Sequence, residues 1–129
     1  MKTIKPKPGE LRRVVVSSFD PSRERAYVLP TDAMSRKETP IFSGVLNYFP
    51  LALAAVARVS KRGNDQHNPG EPLHWAREKS TDEADALFRH FLQRGTRDTD
   101  GVLHSAKMAW RALALLQKEL ETMTSGLEK

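Results

Sequence analysis

The sequence contains no cysteine, which excludes a disulfide framework, a thiolate metal site and a cysteine nucleophile, and points to a cytoplasmic setting. Long hydrophobic runs are also missing. The longest, Tyr48 to Ala57, is half the roughly 20 residues that a bilayer-spanning helix needs, and Pro50 interrupts it, so no membrane segment is expected. The lysines near the N-terminus have no apolar stretch behind them, which argues against a secretion signal. No zinc finger, aromatic RNA-binding motif or long basic helix is present, and this argues against a nucleic-acid partner. A Walker loop, a dinucleotide-binding glycine fingerprint and a nucleophilic serine elbow are absent too.

What is present is a chain of 129 residues, enough for one domain with a core. A domain of this size buries only roughly two-thirds of its unfolded surface, so partner subunits would help, and a homo-oligomer is expected. The net charge of +5 is unevenly placed. Residues 1–40 hold nine Lys/Arg against five Asp/Glu, while residues 41–129 hold twelve against eleven. The excess sits on a Pro- and Lys-rich leader, MKTIKPKPGE, that reads as an extended arm. Arg12 to Ser17 and Ala26 to Leu29 carry β-branched and aromatic residues around the turn-forming Asp20, Pro21 and Ser22, compatible with a short N-terminal β-hairpin. Thr31 to Pro40 reads as a polar linker.

The remainder predicts a mainly α fold, a small domain of three principal helices over residues 41–121, followed by a frayed tail at 122–129. The first helix is expected from Pro50 to about Lys61, with Gly63 just past its end, most of its surface buried, and Phe42, Tyr48 and Phe49 packed beneath it. Arg62 to Lys79, rich in Gly, Pro and Asn, reads as a long functional loop. Ser80 and Glu83 fit a capping box that starts the second helix near Thr81, and Gly95 follows its expected end at Arg94. Ala84, Leu87, Phe88, Phe91 and Leu92 would form its buried face, with Asp82, Asp85 and Arg89 on one flank and Glu83 and His90 on the other. Asp100 is the expected cap of a third helix running from Gly101 to Leu120 or beyond. Ser105, Met108, Ala109, Ala112, Leu115, Leu116 and Leu120 would be its buried face, beside a basic stripe of His104, Lys107, Arg111 and Lys118.

All four histidines fall between His67 and Arg111, together with both tryptophans. A helix start attracts anions, and Lys107 and Arg111 lie one turn apart beside this one, so they either hold a phosphate or form a solvated face. His90, Asp98, Asp100 and His104 span a helix end, a tight loop and a helix start. If the helices are antiparallel they converge, and two imidazoles with carboxylates suit a divalent metal or an oriented general base. Structural roles for His90, as a partner of Glu83, and for both aspartates, as caps, are the alternative. An EF-hand is excluded because its last ligand would fall near Ala109. His67, His74 and Trp75 offer hydrogen bonds and a stacking surface to a base, while Trp110 suits a ligand or an interface. The Glu-x-x-Glu and downstream Asp pattern of all-α nucleotide pyrophosphatases is missing, and Asp82-Glu83-Ala84-Asp85 is its nearest approach.

From Pro40 to Glu121 four stretches stand in order: PIFSGVLNYFPLALAAVARVSK, GNDQHNPGEPLHWAREKS, RHFLQRGTRDTDG and HSAKMAWRALALL. In these residues the chain resembles a phage-encoded family, the dATP/dGTP diphosphohydrolase N-terminal-type domain. The resemblance implies a phage protein in the cytoplasm of an infected bacterium that cleaves dATP or dGTP to monophosphate and pyrophosphate with a divalent metal, Mg or Mn. It implies His90, Asp98, Asp100 and His104 as the catalytic and metal-binding cluster. His67, His74, Trp75, Arg77, Lys79 and Arg89 would line the nucleotide, with Lys107 and Arg111 on its phosphates. One departure stands out: where the family pattern has a further histidine, three residues after the position of His104, this chain has Lys107. That substitution keeps a second expectation open, a non-catalytic anti-defence protein that binds and sequesters a nucleotide signal.

Overall fold

The computed structural model describes residues 29–127, and the β-branched stretches read as a hairpin lie outside them apart from Leu29. The described chain is mainly helical: α1 (Ala33–Lys37), a π-helical turn (Phe42–Leu46), α2 (Pro50–His67), a 3₁₀ turn (Arg77–Lys79), α3 (Glu83–Leu92) and α4 (His104–Leu127). Among the described residues no single helix is long and apolar enough to cross a membrane. α4 is the spine against which α3, and to a lesser extent α2, pack. The stretch read as a linker contains α1, started by Asp32, whose carboxylate accepts from the Ser35 backbone N–H at 2.9 Å. At the other end α4 continues to Leu127, past Thr122 where fraying is expected.

Pro50 opens α2 as expected, but the helix runs through Gly63 to His67. A helical glycine costs only about 1 kcal/mol relative to alanine and does not by itself end a helix. The left-handed turn that ends this segment is at Gly70, φ 80°. Helix continuation places Asn64 where its amide donates to the Glu71 carbonyl at 2.9 Å and accepts from the His74 N–H at 3.3 Å. Asn64, 5% exposed, thereby ties the following loop to α2.

α3 begins at Glu83, and the expected capping box is replaced by a direct Ser80 hydroxyl to Glu83 carboxylate hydrogen bond. The connection to α4 is a small stem. An antiparallel bridge joins Arg97 to Leu103, Asp98 N–H donates to Val102 O at 2.8 Å, and His104 N–H donates to Thr96 O at 3.0 Å. Gly95 and Gly101 both take φ 80° at its two bends. Asp100 caps this turn rather than a helix, accepting from Val102 N–H at 3.0 Å, and α4 starts three residues later than Gly101. The two helices run back antiparallel, so His90 meets His104 at one end and Glu83 meets Lys118 at the other.

The packing faces differ from those the periodicity predicts. The buried apolar residues are small, namely Ala86, Ala106 and Ala114, and with them Asn64, Glu83 and His104 are buried. Phe88, Phe91, Leu92 and Leu116, assigned to the core by their spacing, are exposed, as are Phe42, Tyr48 and Phe49. α2 buries only Asn64. Hydrophobic spacing identifies an apolar stripe but not which neighbour covers it. Here the side-chain contacts on the α3–α4 seam are polar, His90 with His104 and Glu83 with two cations, while the buried apolar residues among those described are alanines. Glu83 accepts from Lys118 at 3.2 Å and Arg111 at 3.4 Å, with its side chain 5% exposed.

Removing the acid from that cluster takes the buried carboxylate from two partly buried cations, leaving Lys118 with backbone carbonyls alone and Arg111 with Ser80 and the more distant Asp82. Glu83→Ala is therefore expected to destabilise the fold by roughly 3–5 kcal/mol in urea unfolding, and Glu83→Leu combined with Lys118→Met by much less.

Candidate functional site

The short stem between α3 and α4 brings His90 and His104 together, with Nδ1 atoms 2.9 Å apart and rings 5.2 Å between centroids. His104 is 6% exposed. Asp98 completes a group in which one donor atom from each of the three residues lies within 4.8 Å of the others. Burial first, then the electrostatic influence of the neighbouring His104 and Lys107, hold the His90 imidazole below its usual range, which favours the neutral form that a metal ligand requires. Two nitrogens 2.9 Å apart match ligands at about 2.1 Å from one ion subtending roughly a right angle, so the donor set fits a divalent metal.

Asp100 stands apart from this group. Lys107 Nζ lies 2.8 Å from Asp98 Oδ2 and 2.8 Å from Asp100 Oδ2, and its side chain is 19% exposed. Hydrogen bonds from Lys107 and the Thr99 N–H bring the Asp98 carboxyl down to about 2, and Lys107 with the Val102 N–H lowers that of Asp100 despite desolvation. Burial opposes the charge on Lys107, but the two carboxylates outweigh it and raise its pKa.

Behind the cluster opens a cavity of about 1250 Å³, lined by the second half of α2, the loop after it, and the polar side of α4. That exceeds the roughly 300–1,000 Å³ of ordinary small-molecule sites. Trp75 and Trp110 form one wall, edge to face at 5.7 Å between centroids, and the Trp110 indole donates to Ser60 Oγ at 2.8 Å. The Trp75 indole N–H is buried without a hydrogen-bond partner among the described residues. The cavity lining carries the cations Arg62, Lys79, Lys107 and Arg111 alongside the acids Glu78, Asp82, Asp98 and Asp100. Arg111 is held by the Ser80 hydroxyl at 2.9 Å and by Glu83.

Of the residues singled out from the sequence, His67, His74, Trp75, Lys79, His90, Asp98, Asp100, Lys107 and Arg111 line this cavity. His104 faces a smaller one, shared with Arg89, His90 and Asp98 on the other side of the histidine pair. Arg89 there pairs with Asp82 at 3.3 Å. Arg77 is directed elsewhere, ion-paired with Glu121 and stacked 4.3 Å over the Trp75 ring. His90 pairs with His104, not with Glu83. Arg62 and Asn64 were missed because α2 was expected to stop before them, and Ser60 because its contact with Trp110 lies fifty residues away in the chain. The signal for the longer α2 lay in the Lys61–Asp65 pair, one helical turn apart and bonded at 2.9 Å.

A family profile described as dATP/dGTP diphosphohydrolase, N-terminal, matches residues 31–125. No curated protein and no solved structure matches the chain.

The depressed carboxyls make the fold acid-sensitive. Their contribution is complete above the ordinary carboxylate range and is lost as pH falls through the lowered values, so helical circular dichroism should decay between about pH 4 and pH 2. In Lys107→Met the carboxyls lose the cation that depresses them, and the stability difference between about pH 6 and pH 3 should shrink.

Proposed function

The chain belongs to the dATP/dGTP diphosphohydrolase N-terminal family, and from that premise we propose that it hydrolyses a purine deoxynucleoside triphosphate, dATP or dGTP, between the α and β phosphates. The observation that carries this reading is the convergence of His90, Asp98 and His104 beside a large cavity with two tryptophans and with Arg62, Lys79 and Arg111 in its lining. These three residues would hold a divalent ion, which when bound neutralises phosphate charge and lowers the pKa of water. Imidazole donors suit Mn²⁺ better than Mg²⁺, which prefers oxygen ligands throughout.

The chain's own groups divide the remaining work. Trp75 and Trp110 offer an aromatic wall to a purine, and His67 at the end of α2 and His74 on the loop offer hydrogen bonds to its edge. Arg62, Lys79 and Arg111 draw in the triphosphate, whose several negative charges reward guanidinium and ammonium contacts. Glu83 and Ser80 fix the Arg111 guanidinium in place before a ligand arrives. The Lys107 ammonium keeps Asp98 ionised and restricts its rotation.

A second reading, a phage protein that binds a nucleotide signal of host defence without cleaving it, is favoured by one observation. Lys107 already pairs with both Asp98 and Asp100, and an ammonium attracts phosphate without activating water. In either case the uncovered apolar residues of α2 and α3, Leu51, Phe88, Phe91 and Leu92, support a homo-oligomer in which further helices cover them.

Purified protein incubated with dATP or dGTP should release monophosphate and pyrophosphate, faster with Mn²⁺ than with Mg²⁺, and His104→Ala should lower the rate by about 100-fold or more. Tight binding with the nucleotide recovered intact would select the sequestering role, and absence of binding would remove both. Light scattering should give a mass that is a multiple of the 14.5 kDa chain; a monomer would count against the oligomer.

A further inference from the structure

Phosphoryl-transfer sites commonly hold two divalent ions about 3.5–4 Å apart, joined by a carboxylate that ligates both. Asp98 has the placement of such a bridging group. On one side it belongs to the donor set with His90 and His104; on the other its Oδ2 receives the Lys107 ammonium at 2.8 Å. Beyond the ammonium lies a second carboxylate, Asp100, at the same distance. Two acids facing each other across a gap are the ordinary setting for a second oxygen-ligated cation. In this chain the gap is filled by a side chain from the second turn of α4.

We propose that Lys107 takes the place of a second metal ion, so that the site accepts one divalent cation per chain, at His90, Asp98 and His104. The inference rests on the metal-dependent reading above and sharpens it. The supports of the lysine are built in. Asp98 Oδ1 accepts from the Thr99 N–H at 2.7 Å and Asp100 Oδ1 from the Val102 N–H at 3.0 Å, which fixes both carboxylates with Oδ2 toward the ammonium. The Lys107 side chain is only 19% exposed and so is not a surface group sampling many positions.

The charge balance agrees. Asp98, Asp100 and Lys107 together sum to −1, which one divalent ion turns to +1. A second ion would place a further two positive charges against an ammonium in direct contact with the same oxygens. Replacing Lys107 by an uncharged residue leaves −2 and an open pair of carboxylates, which suits two ions with water completing their shells. An ammonium neutralises and orients but does not acidify bound water, so in the native chain only the ion at the histidine pair would do so.

The test uses the full-length protein loaded with Mn²⁺ and read by native mass spectrometry and electron paramagnetic resonance. The wild type and Lys107→Arg should bind one Mn²⁺ per chain with an uncoupled six-line spectrum. Lys107→Met should bind two, with the line splitting of a spin-coupled pair, and Lys107→Met combined with Asp100→Asn should return to one. Two ions on the wild type, or one on Lys107→Met with its helical spectrum intact, would overturn the assignment of Lys107 while leaving the metal-binding reading standing. No ion on any of the four chains would overturn that reading and this one with it.

Discussion

The close approach of α3 and α4 is the constraint on which the rest depends. Ala86 on α3 and Ala114 on α4 are both buried, and side chains that small let two backbones come close. Once the helices are that near, the larger residues flanking the alanines must meet, and on this chain those residues are polar. Glu83 is buried between Arg111 and Lys118, and His104 against His90. A buried carboxylate tolerates its desolvation only with cations and donors arranged around it. Packing and chemistry are therefore not separate layers here, since the side chains that seal the helix pair also build the polar wall of the cavity.

This explains what could and could not be read from the residues. The helical class was legible from the 3.6-residue period, whereas the meeting of His90 with His104 was legible only on the condition that the two helices run antiparallel, which the stem at Arg97 and Leu103 supplies. The faces were not legible. Phe88, Phe91 and Leu92 have the spacing of a core stripe yet lie exposed, while the histidine and lysine stripe of α4 is turned inward. Periodicity reports how much apolar surface a helix carries, not which partner receives it, and alanine contacts give almost no signal against that background.

The candidate site shows the same division. His67, His74 and Trp75 were expected to share one wall and do line the same cavity, although His67 belongs to the end of α2 and not to the loop. Asn64 could not be anticipated, since its importance comes from two hydrogen bonds to a loop that begins four residues later. Nor could the role of Lys107 be read from its place one turn from Arg111. The helix-surface spacing suggests two cations offering themselves to a phosphate, whereas the tertiary structure gives one to a pair of aspartates and the other to Ser80 and Glu83.

Gly95 and Gly101 touch none of the reactive groups, and a methyl placed on either would meet nothing within 4 Å. Their requirement is one of dihedral angle alone, φ 80°, a region that alanine or valine enters only at a cost. The separation of the two imidazoles is thus inherited from a pair of residues that a scan for contacts would pass over. In a drifting lineage these two codons would be among the least free, tolerating asparagine at most, while the exposed positions between them could vary widely without the imidazoles parting.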